Sequence, residues 1–166
     1  MTATDLDQVC ELNSAAVPAV SEASSAAIES LLALSGHGFA VVDEAADAAI
    51  LGFIVAFDPG SNYASENYRY FEQRGSDSLY IDRVVVREEH RGLHLGQFLY
   101  AHAFALARAA GREEVTCEVN IIPPNPGSMR FHARLGFAEV GQQETKDGTV
   151  RVALLAAGVA RESRSA

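Results

Sequence analysis

Two cysteines in 166 residues are too few for a disulfide-stapled scaffold, and Cys10 and Cys117 form neither a CxxC pair nor a Cys/His cluster of metal-ligand spacing. Both read as buried thiols of a reducing compartment, and nothing calls for a metal. Positive charge is also scarce: 13 Lys and Arg stand against 22 Asp and Glu, a net charge of −9. Proteins that bind a phosphate backbone concentrate positive charge on one face, so a nucleic-acid partner is not expected. No apolar run approaches membrane-spanning length and no basic-plus-apolar leader opens the sequence, which points to the cytoplasm and away from a membrane. Internal repeats are absent as well. The composition that remains, 48% hydrophobic and 21% charged, suits one compact domain with a real core. That domain is expected over residues 1–156, with a frayed, disordered tail over 157–166.

The most informative stretch runs from Asp82 to Gly111. It opens with the β-branched run Val84, Val85 and Val86, which fits a buried strand. Arg91-Gly92-Leu93-His94-Leu95-Gly96 then leads into a segment with Leu95, Leu99 and Leu106 near helical spacing, closed by Gly111. A strand, a basic glycine-containing turn and a helix gather backbone N–H groups at a helix N-terminus, where they and the helix dipole attract phosphate. No Gly-Lys-Ser/Thr follows, so the turn is not a Walker loop. It also lacks three glycines in the dinucleotide spacing, which makes a dinucleotide-dependent oxidoreductase a weak reading.

Around this centre the pattern predicts the other elements. Thr4-Asp5-Leu6-Asp7 opens a first helix that Pro18 interrupts, and a second helix starts near Ser21, turns Ile28, Leu31 and Leu32 inward and stops at Gly36. Phe39–Asp43 and Ile50–Phe57 form a hairpin. From Asp58 to Ser78 the chain is rich in aromatic and amide residues with little strand periodicity, and a short helix fits Ser65 to Arg74; a long insertion of this kind is often a functional lid. Val115–Asn120 alternates as a strand, Asn125-Pro126 caps a helix ending at Gly136, and Ala138–Glu144 with Thr149–Leu155 makes a last hairpin.

The Arg91 to Gly96 turn resembles the Arg/Gln-x-x-Gly-x-Gly/Ala pyrophosphate motif of the GNAT superfamily of acetyl-CoA-dependent N-acetyltransferases, with His94 where the inner glycine usually stands. The stretch Asn125-Pro-Gly-Ser-Met-Arg-Phe-His-Ala-Arg-Leu-Gly-Phe137 is similar to the late GNAT pattern of an Asn followed by a helix that carries a Phe-Tyr pair and ends in Gly-Phe. The two motifs stand in the expected order with a strand between them, and the likeness covers about Leu79 to Leu155. It implies an α/β (α+β) fold with a mixed, mostly antiparallel central sheet and helices on both faces. Only three residues precede Thr4, so the first edge strand is absent or shortened.

The resemblance also implies a function: transfer of an acetyl group from acetyl-CoA to the amine of a small-molecule acceptor by direct attack. Val84, Val85, Val86, Arg91, Gly92, Leu93, His94, Leu95, Gly96 and Asn125 would bind the cofactor, although Asn125 also suits a helix cap. Arg87 and Arg134 read better as surface charges. His132 stands where the family's Tyr protonates the leaving thiolate; histidine can supply that proton, or it can simply pack against the sheet. Asp82 and Glu118 are the acids placed to deprotonate the acceptor, with pairing to an Arg or substrate orientation as their alternatives. Tyr63, Asn67 and Tyr68 in the insertion would contact the acceptor, helped by Asp58 and Glu66 attracting its ammonium group. A homodimer is compatible with this reading. The competing function is an acyl-CoA-binding sensor or interaction module that kept the cradle and lost catalysis.

Overall fold

A computed structural model describes residues 5–46 and 48–160. The order of elements is α1 (Leu6–Ala15), α2 (Ser25–Leu34), β1 (His37–Asp43), β2 (Ala49–Phe57), α3 (Glu66–Arg74), β3 (Ser78–Val86), one turn of 3₁₀ helix (Glu88–His90), α4 (Leu95–Ala109), β4 (Glu114–Ile122), α5 (Pro126–Arg134), β5 (Ala138–Thr145) and β6 (Val150–Gly158). Six strands make one sheet in the order β1-β2-β3-β4-β6-β5, antiparallel throughout except for β3 beside β4.

Helices cover both faces, as the apolar alternation of the strands requires. One core joins α4 and the flank of α5 to Ile54, Ile81, Val115, Cys117 and Leu155. The other joins α1, α2 and α3 to Phe53, Phe57, Tyr80, Val85 and Leu154. No strand precedes α1 among the described residues, and β1 forms the edge; residues 1–4, where a shortened strand would begin, lie outside them.

Three expectations shift. α2 begins at Ser25 rather than near Ser21, because the Ser24 hydroxyl accepts the Ala27 N–H at 3.2 Å and sets the start there. β6 continues through residues 157 and 158, pairing Gly158 with Glu114, and the Val159 N–H donates to the Glu113 carbonyl at 2.8 Å, so the expected tail cannot start at 157. Its residues 161–166 lie outside the described chain. Cys10 is half-buried and Cys117 fully buried; both are free thiols.

The feature that shapes the site is a register shift. Val55 pairs with Arg83 but Ala56 pairs with Ile81, leaving Asp82 as an extra residue in β3. A bulge of this kind interrupts the period-two alternation. Ile81 and Val84 both belong to the α4 side, while Asp82 and Arg83 both turn to the opposite face, Asp82 toward Tyr63 ahead of α3 and Arg83 toward Asn13 of α1.

Candidate active site

β3 and β4 hydrogen-bond only from Ser78↔Glu114 to Ile81↔Cys117. Beyond that rung the strands part, and the second halves of β3 and β4 have no ladder between them. A cavity of about 530 Å³ occupies the opening and is lined from both faces of the sheet. Tyr63, Asn67, Asp82, Arg83 and Glu118 line it on the α1/α3 side, and Ile81, Tyr100, Cys117, Ser128 and His132 on the α4/α5 side. Two molecules entering from opposite faces would meet in this gap.

At the other end of β3 the Arg91–Gly96 turn leads into α4. Gly92 (φ +87°) and His94 (φ +62°) both adopt left-handed backbone, so the chain curls tightly before the helix, whose first-turn amides lack intrahelical acceptors. Arg91 is 61% exposed at its side chain and only loosely paired, 3.6 Å from Glu88. Left-handed backbone explains why glycine is easy at position 94; the imidazole here is instead tied to Gln97, Nδ1 to Oε1 at 2.7 Å. Gly96 serves packing, since a Cβ there would lie 3.1 Å from the Phe131 ring of α5.

The two candidate acids differ sharply. Both oxygens of Asp82 are engaged: Oδ1 accepts a short hydrogen bond from the Tyr63 hydroxyl, and Oδ2 accepts from Arg83 Nε at 2.7 Å. Glu118 accepts from the Tyr80 hydroxyl at 2.8 Å, but burial, helped by the nearby Asp82 charge, pushes its carboxyl up to about 8. A carboxyl that titrates near neutrality can exchange a proton with an amine. Asp82 is the residue paired to an Arg.

On the opposite face His132 is buried, and burial lowers its affinity for a proton. Its Nδ1 lies 2.8 Å from the Ser128 carbonyl and its Nε2 2.7 Å from the Tyr100 hydroxyl. The carbonyl can only accept, so the neutral ring carries its proton on Nδ1 and Nε2 accepts from Tyr100. The phenol is the donor of the pair, its one proton directed at Nε2, and burial holds it well above the ordinary tyrosine range and so keeps it protonated.

Of the other expected residues, Val84 lines the cavity, while Val85 is buried in the α1/α2 core and Val86 packs toward α4. Asn125 caps α5, its Oδ1 accepting the Ser128 N–H at 3.1 Å. Arg87 pairs loosely with Glu11 and Glu89, and Arg134 is exposed. Tyr63 lies flat on Phe57, centroids 4.1 Å apart, and Asn67 accepts from Gln143 at 3.1 Å. Tyr68 does not reach the cavity: its ring is 3% exposed, and its hydroxyl donates to the Asp58 carbonyl and accepts the Ser61 N–H, bracing the insertion from beneath. Asp58 is likewise committed elsewhere, to Arg112 and His37, whereas Glu66 lines the cavity. The sequence reading passed over Tyr100, hidden as one more apolar-face residue of α4, and Arg83 with its partner Asn13, which only the bulge brings to the site.

The family model described as Acetyltransferase (GNAT) family matches residues 6–137. The chain belongs to the GNAT family of acetyltransferases. Solved GNAT structures share its fold. The ribosomal-protein-S18-alanine N-acetyltransferase of Escherichia coli superposes with a TM-score of 0.72 at 15% identity, covering 100% of this chain and 95% of that one. For yncA of Salmonella typhimurium, a putative acetyltransferase with its cofactor acetyl-CoA, the values are 0.67, 18%, 100% and 95%. For GphF, a GNAT-like decarboxylase in complex with isobutyryl-CoA, they are 0.73, 19%, 96% and 97%. No curated protein matches the chain. GNAT proteins bind acetyl-CoA or another acyl-CoA, and the parted strands and the tight turn at the N-terminus of α4 fit such a ligand. Among the described residues no helix is long and apolar enough to cross a membrane.

Proposed function

We propose that this chain transfers an acetyl group from acetyl-CoA to the amine of a small polar acceptor by direct attack. The observation that carries the reading is the gap between β3 and β4, which has a proton acceptor on one face and a proton donor on the other. When bound, acetyl-CoA supplies an activated acyl carbon and a thiolate leaving group. The curled turn from Gly92 to Gly96, with Arg91, holds the pyrophosphate at the N-terminus of α4. Backbone groups of Val84 to Val86, freed where β3 leaves β4, hold the pantetheine and polarise the carbonyl.

Glu118 receives the proton that the acceptor nitrogen loses. Asp82 holds Tyr63 beside that nitrogen rather than taking its proton. Tyr100, held beside the gap by the neutral His132, swings its O–H from Nε2 to the leaving sulfur on the far face. Tyr63, Asn67 and Glu66 form the acceptor wall. Holding both reactants in one narrow opening supplies a large part of the rate by itself.

The test is release of free CoA thiol from acetyl-CoA by the purified protein across a broad panel of amines. Amine-dependent release, with the acetylated amine identified by mass, is the expected result. Tight acetyl-CoA binding with no release for any amine would leave a binding module instead.

A further inference from the structure

One buried group in the cavity has no part in the transfer chemistry. Arg83 has only 8% of its side chain exposed, yet it lines the opening between β3 and β4. Building on the acetyl-transfer reading, we propose that Arg83 binds a carboxylate of the acceptor, and hence that the acceptor is a small amino acid carrying amine and carboxylate together.

The geometry argues for a prepared anion site. The bulge at Asp82 turns Arg83 away from the α4 core and places it next to Asp82 on the acceptor face. Nε then donates to Asp82 Oδ2 at 2.7 Å and Nη1 to Asn13 Oδ1 at 2.7 Å. Asn13 is fully buried on α1, and its own amide donates to the Ser21 carbonyl at 3.2 Å, which fixes its oxygen toward the guanidinium. Neutralising Asp82 needs only the first of these bonds. The second locks the plane of the fork, and among the described residues Nη2 makes no hydrogen bond. A rigid guanidinium with Nη2 left over suits a carboxylate, which can accept a charge-assisted hydrogen bond from it.

Charge selects in the same direction. Asp82 and Glu118 favour an ammonium or amine at the reacting end, with Glu22 and Glu66 the other acids of the lining, whereas Arg83 and Lys146 are its cations. A diamine or a neutral amide would leave Arg83 Nη2 without an anion to answer it. An amino acid satisfies both ends.

The experiment compares matched acceptors at saturating acetyl-CoA: α- and ω-amino acids, their primary amides, and the corresponding amines without the carboxylate. For the best amino acid, kcat/KM should exceed that of its amide by at least ~10-fold, because a site built for a polar group discriminates against its loss. Arg83→Lys keeps a positive charge beside Asp82 but loses the fork, and the acid-to-amide ratio should collapse toward one. Equal kcat/KM for acid and amide in the wild-type protein would overturn the proposal. So would an Arg83→Lys variant that lowers both alike, which would mean Arg83 only holds Asp82. If the wild-type protein releases no thiol with any amine, acetyl transfer fails as the function. Arg83 is then judged by thermal shift with CoA present: stabilisation by the amino acid but not its amide sustains the site, and equal or no shifts refute it.

Discussion

Glu118 shows how one residue's surroundings can set both stability and rate. In the unfolded chain a glutamate loses its proton near the ordinary value of 4.5, whereas the folded Glu118 keeps it up to about 8. Between those values the folded state binds the extra proton, so this residue's contribution to stability declines as pH rises and is exhausted above about 8. Glu118→Gln cannot ionise. Urea unfolding should therefore show the variant gaining on the wild-type protein from pH 5 to pH 8, and a gap independent of pH would mean the carboxyl titrates normally. The rate should move the other way: wild-type kcat/KM rises through about pH 8 as Glu118 becomes able to accept a proton, and the variant lacks that limb. Tyr100 carries the complementary expectation. Tyr100→Phe keeps the tilted and edge-on ring contacts with Phe131, His132 and Phe137 but removes the proton, so kcat should fall by roughly 10²- to 10⁴-fold where chemistry limits turnover, with acetyl-CoA affinity retained. An unchanged kcat would make the phenol a packing group.

At the scale of elements, the strand-turn-helix from β3 to α4 shows what local pattern can and cannot carry. Its apolar run, its glycines and its helical leucines are local signals, and they located the strand, turn and helix closely. Left-handed backbone at His94 was not legible, because it is the turn that demands it and the residue tolerates it. Holding a non-glycine residue there costs about 1 kcal/mol. His94→Gly should therefore stabilise the protein by up to ~1 kcal/mol, raising Tm by about 2–4 °C for a chain of this size. A lower Tm would show that the bond from His94 to Gln97 outweighs the strain. The bulge was hidden for a different reason: alternation read through Asp82 without interruption puts Arg83 in the α4 core, and only pairing with β2 reveals the extra residue. Tyr68 misled because aromatic and amide residues signal a binding surface and a loop core equally well. Ser65 caps α3 and starts it where Tyr68 falls on the buried side, leaving Tyr63 and Asn67 to face the cavity. Tyr100 meets His132 only through the packing of α4 on α5, a contact 32 residues apart that no spacing rule supplies.

At the scale of the whole molecule, the sheet is continuous on one side of Ile81 and Cys117 and divided on the other, and that division gives its stability an uneven distribution. Tyr80 and Ile81 are held on both sides, by β2 and by β4, and Ser78 and Leu79 by β4, all packed against α3 and α4. Past the fork, β3 keeps only β2, and the first turn of α4 keeps amides with no protein acceptor. An acyl-CoA that binds the native state alone stabilises the entire fold by about 2.7 kcal/mol at a hundredfold excess over Kd. Its direct contacts, however, should fall on the weakly held part. Native-state hydrogen exchange should therefore show two patterns when CoA is added. Amides of the closed rungs and of β6 should slow only by the global increment, while those of Val84 to Val86 and of 92–97, which exchange by local opening, should slow by more than their neighbours on β2. Gly92→Asp, which brings a carboxylate to the pyrophosphate, should abolish both effects at the same CoA concentration. Uniform slowing across the sheet, or a Gly92→Asp variant that responds like wild type, would place the cofactor somewhere other than the fork and the turn at the N-terminus of α4.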